Sequence, residues 1–151
     1  EAKHNIIVTL DGDGQNNPND IPSLVNYYKK NSDIYLVGGI RLKRQDNLIK
    51  IVSSKIANVV RSKFLRDGCI DTGCSLKVFD KKIFLNFEFF DGIHRFIPAL
   101  FSGFGYKTSF LNVDHRKRNY GRSNYGTLSR LINGLRDMIK VKKMINKNKK
   151  F

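Results

Sequence analysis

The sequence predicts an α/β fold, because short apolar runs alternate with longer amphipathic segments and polar residues follow the apolar runs directly. Ile6 to Leu10 and Ile34 to Val37 are apolar runs of the kind that form buried strands of a parallel sheet. Between them, Ile21 to Tyr28 repeats apolar residues at helical spacing. Open α/β sheets bind ligands at the carboxyl ends of their strands, so the polar residues there are the first candidates for function.

Two carboxylates follow the first predicted strand. Asp11 and Asp13 stand where the apolar run ends, and Gln15 comes two residues later. Mg²⁺ and Mn²⁺ favour carboxylate oxygens, and Mg²⁺ is commonly held by one or two carboxylates together with substrate phosphates. Gly12 and Gly14 leave room for a diphosphate to approach the backbone. The pattern predicts a divalent-cation site, although a polar turn that caps the next helix has the same composition.

The rest of the chain continues the alternation of helices and strands. Apolar spacing and the usual helix-start and turn residues place each element. The predicted elements are a helix from Asp46 to Phe64, a short helix capped by Asp80, a loop and helix from Phe89 to Leu100, a strand from Tyr106 to Val113 and a helix from Thr127 to about Met144.

Composition limits both the size and the partners of the protein. A chain of 151 residues is one domain at most, large enough for a hydrophobic core. Its 28 Lys and Arg against 13 acidic residues give a net charge of +15, which implies a polyanionic partner such as nucleic acid, an anionic membrane or a phosphorylated ligand. Twelve of the basic residues lie between His115 and Phe151, where Asp137 is the single acid.

Cysteine content and hydropathy indicate the redox compartment of the chain and whether it contains a membrane span. Cys69 and Cys74 form neither a zinc motif nor a disulfide framework, so a reducing compartment is expected. No apolar run reaches the ~18 residues of a membrane span. The chain starts without Met just before a strand, which predicts that it is a piece of a longer protein.

Five segments, in order along the chain, resemble those of family 2 glycosyltransferases of the dolichol-phosphate mannosyltransferase or polyprenyl-phosphate type. The residues from Leu10 to Pro18 resemble the D-x-D-x-Q-x-x-P signature of that family. The other four are Val37 to Arg41 (V-x-G-x-R), Asp71 to Phe79 (D-x-x-G-x-x-L-x-x-F, here with one residue fewer between Asp71 and Gly73), Phe89 to Leu100, and His115 to Tyr125 (H-x-x-R-x-x-G-x-S-K-Y, with Asn124 in place of the usual lysine). The resemblance implies that Asp71 to Phe79 is a loop entering a strand.

The resemblance implies an architecture and a location. It implies a GT-A-type, Rossmann-like domain that is incomplete at its N-terminus. Residues 1–126 would be the C-terminal portion of that catalytic domain, and residues 127–151 a basic amphipathic helix and tail near the membrane. The expected location is the cytoplasmic face of a membrane, peripheral or anchored by transmembrane helices outside this chain.

The resemblance also implies a reaction and its donor site. The reaction would be metal-dependent, inverting transfer of a sugar from a GDP- or UDP-linked donor to a polyprenyl or dolichyl phosphate. Asp11, Asp13 and Gln15 would hold Mg²⁺ or Mn²⁺, and Asp71 would join them beside the donor sugar.

The acceptor phosphate would be bound by Arg41, Lys50, Ser54 and Arg118. The catalytic residues would be Asp11, Asp13, Arg41 and Arg118. The family has arginine more often than lysine at the position of Lys50, and a lysine offers a point charge in place of a bidentate fork.

Simpler interpretations stay open at this stage. Lys50 and Ser54 also fit the solvated side of a helix, and Arg41 fits an exposed loop. The +15 charge fits a basic nucleic-acid-binding module, but the basic residues do not alternate with aromatic ones as in single-strand binders, so we expect no specific nucleic acid partner. A glycosyltransferase with a soluble acceptor is a further alternative.

Overall fold

The computed structural model describes residues 2–42, 48–116 and 127–148, with side chains except those of residues 48–55 and 127–131. Four strands and five α-helices make up this part of the chain. They are β1 (Ile6–Thr9), α1 (Ile21–Lys30), β2 (Leu36–Arg41), α2 (Leu48–Leu65), β3 (Lys77–Asp80), α3 (Lys81–Leu85), α4 (Ile97–Gly103), β4 (Thr108–Val113) and α5 (Thr127–Asn148). Short 3₁₀ turns at Pro18–Asp20 and Ile93–Arg95 precede α1 and α4.

The sheet has the order β1-β3-β2-β4 and is mixed. β3 pairs antiparallel with both β1 and β2, whereas β2 and β4 are parallel. β1, β2 and β4 therefore run in the same direction, and their carboxyl ends lie at one edge of the sheet together with the amino end of β3. The α/β prediction is confirmed.

The prediction that Ile6 to Leu10 is a buried strand of a parallel sheet is wrong in two respects. β1 pairs antiparallel with β3, and among the described strands it lies at an edge with all its residues half-buried. The apolar run is nevertheless explained, because both faces of β1 are covered. Ile7 packs on one core cluster, and Ile6 and Val8 pack on the other.

Two apolar clusters cover the two faces of the sheet. On one face α3, α4 and α5 pack over β2 and β3, with Phe79, Phe87 and Phe101 in edge-on or tilted ring contacts. On the other face Leu24 of α1 packs among Val37 and the residues around it. Asp80 caps α3 as predicted, since its side chain accepts a hydrogen bond from the Ile83 amide at 3.0 Å.

The helix α2 turns its polar side toward the body of the protein. Much of its described apolar surface is exposed, with Ile56 at 60% and Val59 and Val60 at 54%, whereas Leu65 at its last position is 3% exposed. Arg61, in contrast, is only 8% exposed and pairs with Asp67 beyond the end of the helix. The apolar stripe of this helix is thus a surface feature, which hydrophobic periodicity alone does not predict.

The helix α5 belongs to the core as well as to the surface. Val141 is fully buried and Ile145 is 2% exposed, and both join the aromatic cluster of α3 and α4. A Cβ at Gly103 would lie 2.4 Å from Ile145, so glycine is what lets α4 and α5 approach. None of the helices in the described part of the chain is both long and apolar enough to span a bilayer.

Candidate active site

Polar residues from three strand ends meet at one edge of the sheet. This edge, here called the rim, carries the segment after β1 (residues 11–17), Arg41 at the end of β2 and His115 just after β4. The amino end of β3 lies between them, because β3 pairs with both β1 and β2. The rim is the expected ligand-binding edge of an α/β sheet.

The acidic loop, residues 11–16, carries Asp11 on its exposed side and Asp13 half-buried. The Gln15 amide donates to Asp13 Oδ1 at 3.1 Å, which makes a local turn. The loop then joins the end of β4: Gln15 Nε2 lies 3.5 Å from His115 Nε2, and the Arg116 amide donates to the Gln15 carbonyl at 2.9 Å. The predicted cation ligands therefore lie close together on one loop, and its second half is held by contacts of Gln15 with His115 and Arg116.

Two asparagines, Asn16 at the end of the acidic loop and Asn17 just after it, strengthen that junction. Asn17 Nδ2 donates to Asp114 Oδ2 at 3.3 Å, and Arg116 Nη2 donates to Asn17 Oδ1 at 2.6 Å. Asn16 and Asn17 are 6% and 9% exposed, so they are buried polar groups with partners. The sequence analysis did not assign them; their place between two conspicuous motif positions was the available signal.

Ser75, which the sequence analysis missed, ties both ends of the acidic loop to the segment just before β3. Its hydroxyl oxygen accepts hydrogen bonds from the Asp11 amide at 2.9 Å and from Asn16 Nδ2 at 2.6 Å. Its carbonyl accepts the hydroxyl of Thr9 at 2.8 Å. A serine in a polar loop gives no sequence signal for such a role, because its partners are 59 to 66 residues away.

Arg41 and Asp71 form a bidentate ion pair at the rim. Arg41 Nε donates to Asp71 Oδ2 at 2.9 Å and Nη2 to Oδ1 at 2.7 Å, and the Arg41 amide also donates to Oδ2 at 3.0 Å. Their side chains are 14% and 9% exposed. A Cβ at Gly73 would lie 2.6 Å from Arg41 Nη2, so a glycine at this position leaves room for the guanidinium.

A cavity of about 480 Å³ opens beside this pair. The second half of α2 forms one wall and the segment before β3 forms the other. The lining combines apolar, hydroxyl, amide, cationic and carboxylate groups, namely Ile40, Arg41, Asn58, Val59, Ser62, Lys63, Ile70 and Asp71. The cavity therefore offers both charged and apolar contacts to a ligand.

Buried polar contacts fix the second wall of the cavity. Arg61 pairs with Asp67 and donates from Nη2 to the Cys69 carbonyl at 2.6 Å. Asp67 Oδ1 accepts the Cys69 amide at 3.0 Å. One turn along α2, Asn58 Oδ1 accepts the Thr72 hydroxyl at 2.8 Å. The polar side of α2 thereby holds the segment that carries Asp71.

A buried cation lies beneath the rim. Lys77 is 4% exposed, and its ammonium donates to the Cys74 carbonyl. Burial lowers the pKa of Lys77, while Cys74, Cys69, Asp11 and Asp71 act in the opposite direction and favour the charged form. The negative charges of the rim are therefore felt at this ammonium.

His94 is also coupled electrostatically to the acidic loop. Burial lowers its pKa, the positive charges of Arg95 and Lys77 lower it further, and Asp11 and Asp91 oppose them. The imidazole is consequently neutral near pH 7. Arg95 in turn pairs with Asp137 at 2.8 Å, which links this turn to α5.

The oxygen ligands of the acidic loop suit a divalent cation that is also coordinated by phosphate oxygens. Within residues 2–42, 48–116 and 127–148, no group of three or more His, Cys, Asp or Glu side chains is arranged to hold a metal ion. Asp11 and Asp13 provide two carboxylates and Gln15 an amide oxygen. Two carboxylates supplemented by phosphate oxygens are a common Mg²⁺ environment, so the residues fit a cation–diphosphate pair better than a bare ion.

Three of the predicted site residues lie outside the described part. Arg118 belongs to residues 117–126, and for Lys50 and Ser54 the structure gives the helix backbone only. Asp11, Asp13, Gln15, Arg41 and Asp71 are described, and all of them lie at the rim.

These features define the class of protein: an α/β domain that gathers carboxylates, cations and a cavity at the carboxyl ends of its strands. Comparison with known proteins then identifies the family. A family model described as glycosyl transferase family 2 matches residues 1–87, more than half of the chain. The chain belongs to glycosyl transferase family 2.

Curated relatives extend the similarity beyond that match. The chain is 34% identical over 139 residues to proteins named undecaprenyl-phosphate 4-deoxy-4-formamido-L-arabinose transferase from Pectobacterium carotovorum, Pectobacterium atrosepticum and Yersinia pestis. The aligned region covers 92% of this chain and 42% of each relative. The chain thus spans less than half the length of these relatives.

Proposed function

We propose that the complete protein transfers a sugar from a nucleotide-sugar, GDP- or UDP-linked, to a polyprenyl phosphate at a membrane surface, with inversion. The observation that carries the proposal is the meeting, at one rim, of an acidic loop, an oriented arginine and a cavity with both cationic and apolar walls. Membership of glycosyl transferase family 2 and the names of the relatives supply the reaction class.

The donor end of the site is the acidic loop. In the proposal Asp11, Asp13 and Gln15 bind Mg²⁺ or Mn²⁺ together with the donor diphosphate. The bound cation supplies neutralisation of the negative charge on the leaving diphosphate. Asp71 lies at the boundary of the donor side, and its described contacts give it a second task, that of orienting Arg41.

The acceptor end is the cavity beside Arg41. The Arg41 guanidinium binds the acceptor phosphate, and Lys63 and the Ser62 hydroxyl add a charge and a donor from α2. Lys50 and Ser54, earlier in the same helix, and Arg118 complete the proposed phosphate site. A phosphate monoester is largely ionised near pH 7, so it attacks without a general base, and a neutral His94 is compatible with this.

The proposed membrane contact uses α2 and α5 together. Phe64 of α2 lies beside α5, because Lys142 Nζ is 3.1 Å from the Phe64 carbonyl and 5.6 Å from its ring centroid. Both helices expose apolar residues; they are Ile56, Val59, Val60, Ile132, Leu135 and Ile139. Exposed apolar residues bordered by lysines favour an anionic bilayer surface.

The transfer assay tests the proposal directly. The complete protein is incubated with GDP- and UDP-linked sugars and with a polyprenyl phosphate, the corresponding polyprenyl alcohol or a soluble sugar acceptor. We expect a lipid-linked sugar with the phosphate only, and its loss when EDTA removes divalent cations. Transfer to the soluble acceptor without any lipid product would establish the alternative glycosyltransferase and contradict the proposal.

A further inference from the structure

Both ends of the acidic loop converge on a single hydroxyl oxygen. The Asp11 amide and the Asn16 side-chain amide donate to Ser75 Oγ at 2.9 and 2.6 Å. The loop that carries Asp13 therefore begins and ends at the same atom, in the segment just before β3. Nothing in the sequence motif demands this, since Ser75 lies in a different segment of the chain.

The two glycines in the middle of the loop have open space beside them. A Cβ built at Gly12 or at Gly14 would meet no atom within 4 Å. Gly14 has a φ of +75°, a conformation that glycine adopts without strain. Within the loop the backbone amide of Gln15 bonds Asp13. The contacts at Asp11 and Asn16 then tie this turn to the rest of the protein, and so they decide where the carboxylates lie.

Ser75 stands on a rigid support. Its neighbours Cys74 and Leu76 are each 1% exposed. The Cys74 amide donates to the Asp71 carbonyl at 3.3 Å, and the Gly39 amide donates to the Leu76 carbonyl at 2.9 Å. The Lys77 ammonium donates to the Cys74 carbonyl from beneath. A hydroxyl held in this way offers the loop a fixed point.

The chemistry of the anchor requires an oxygen acceptor. A serine hydroxyl accepts up to two hydrogen bonds, and Ser75 uses both positions for the loop. Alanine offers no acceptor, cysteine is a weak one, and threonine keeps the hydroxyl. Asn16 is 6% exposed, so the loss of its partner cannot be made good freely by solvent.

We propose that Ser75 is a positioning residue of the cation–diphosphate site, whose hydroxyl fixes both ends of the acidic loop and thereby the separation of the Asp11 and Asp13 carboxylates. The ligand class is a divalent cation together with a nucleoside diphosphate. This inference rests on the proposed function, and it assigns to Ser75 no contact with the ligand.

The test uses the complete protein as wild type and as Ser75→Ala, Ser75→Cys, Ser75→Thr and Ser109→Ala. Ser109 is the matched control, because its hydroxyl donates to the Tyr27 hydroxyl at 3.2 Å on a different part of the fold. The first readout is amide hydrogen exchange of peptides that cover residues 10–16, without added ligand. The second is the Kd of Mn²⁺, titrated in the presence of UDP and, separately, of GDP.

We expect Ser75→Ala and Ser75→Cys to speed exchange in these peptides and to weaken Mn²⁺ binding by about tenfold, the effect of losing about one hydrogen bond. Ser75→Thr should keep both readouts within about twofold of wild type, because threonine keeps the hydroxyl acceptor. A twofold change in Kd corresponds to about 0.4 kcal/mol. Ser109→Ala should match wild type in both.

Three results would overturn the inference. Unchanged Mn²⁺ affinity in Ser75→Ala and Ser75→Cys would do so, even if exchange became faster. Affinity as weak in Ser75→Thr as in Ser75→Ala would show that side-chain volume, and not the hydroxyl, matters. Failure of the wild type itself to bind Mn²⁺ with either diphosphate would contradict the proposed function, and this inference with it; only that outcome appears in the wild type.

Discussion

The orientation of the Arg41 guanidinium does not depend on a bound phosphate. The Asp71 carboxylate accepts hydrogen bonds from Nε and Nη2, on one edge of the guanidinium, and from the backbone amide of Arg41. Two parallel charge-assisted bonds fix a plane and a direction, which a single contact does not. In the proposed reaction this lowers the entropic cost of presenting the guanidinium to an acceptor phosphate.

Replacing Arg41 with lysine keeps the charge and removes the fork. We expect Arg41→Lys to lower kcat/KM for the acceptor. The corresponding loss of transition-state stabilisation should be about 1.5–3 kcal/mol, the range for hydrogen bonds to charged groups. Steady-state transfer kinetics on the complete protein measure this. Arg136→Lys is the matched control, because Arg136 is exposed on α5. Equal loss in both variants, or none in Arg41→Lys, would remove Arg41 from the acceptor site.

Cys69 gives a pH-dependent prediction for stability. Burial raises the pKa of its thiol from 9.0 to about 11. Between those pH values the unfolded chain loses a proton that the folded chain retains, so stability falls as pH rises through this window and is unaffected well below it. For one proton the slope reaches at most about 1.4 kcal/mol per pH unit.

Denaturant unfolding of wild type and Cys69→Ala at several pH values checks that slope. Between about pH 6 and 8 the free energies of unfolding of the two proteins should differ by a constant amount, which serves as an internal control. The reason is that the thiol, with an ordinary pKa near 8.5, is then mostly protonated in both the folded and the unfolded chain. Above that range the wild type should lose stability more steeply than Cys69→Ala. Identical slopes at alkaline pH would contradict the burial effect on this thiol.

At the scale of elements, apolar periodicity predicted most of the helices and strands, but β2 spans Leu36–Arg41 and not the apolar run from Ile34 to Val37. Asp80 capping α3 and the helix α5 followed from local sequence signals. The insertion of β3 between β1 and β2 did not, because strand order depends on long-range pairing that local patterns do not encode. The three strand ends nevertheless meet as expected, since β1, β2 and β4 run the same way.

The orientation of α2 shows why periodicity fails to say which face is buried. Its Arg61 is buried through partners at Asp67 and Cys69 that lie after the helix. A paired, hydrogen-bonded charge can be buried at lower cost, and the apolar stripe is then left outside. Sequence motifs located the carboxylates and Arg41, but not Ser75, whose role depends on contacts between distant segments.

The exposed face of α5 gives an element-scale prediction. Leu135 is 46% exposed, whereas Val141 and Ile145 on the same helix are buried. We expect Leu135→Asp to weaken binding to anionic vesicles by about tenfold, because a partly exposed leucine contributes roughly 1–2 kcal/mol when buried in lipid. Vesicle co-sedimentation measures this effect.

Asn133→Asp is the control for that measurement, since it makes the same change in charge at an exposed polar position of α5. It should retain most of the binding. If Asn133→Asp weakens binding as much as Leu135→Asp, charge alone accounts for the association and the apolar contact is contradicted.

At the scale of the whole molecule, the net charge of +15 demands an anionic partner but does not choose it. The exposed apolar residues of α2 and α5 favour a bilayer over nucleic acid, because phosphate-backbone binding needs the charge alone. Duplex DNA should therefore bind the complete protein weakly, without sequence preference and with steep salt dependence. Sub-micromolar DNA binding at physiological salt in a fluorescence titration, without vesicle binding, would contradict the membrane assignment.

The central claim is that the acidic loop binds a divalent cation together with a nucleoside diphosphate. Calorimetric titration of the complete protein with Mn²⁺, in the presence of GDP or UDP, tests it with Asp11→Asn, Asp13→Asn and the control Asp33→Asn. Asp33 is exposed and pairs with Lys107 at 2.5 Å, away from the rim. The account predicts that Asp11→Asn and Asp13→Asn each weaken binding at least about tenfold while Asp33→Asn matches wild type. Wild-type affinity in Asp13→Asn would contradict it.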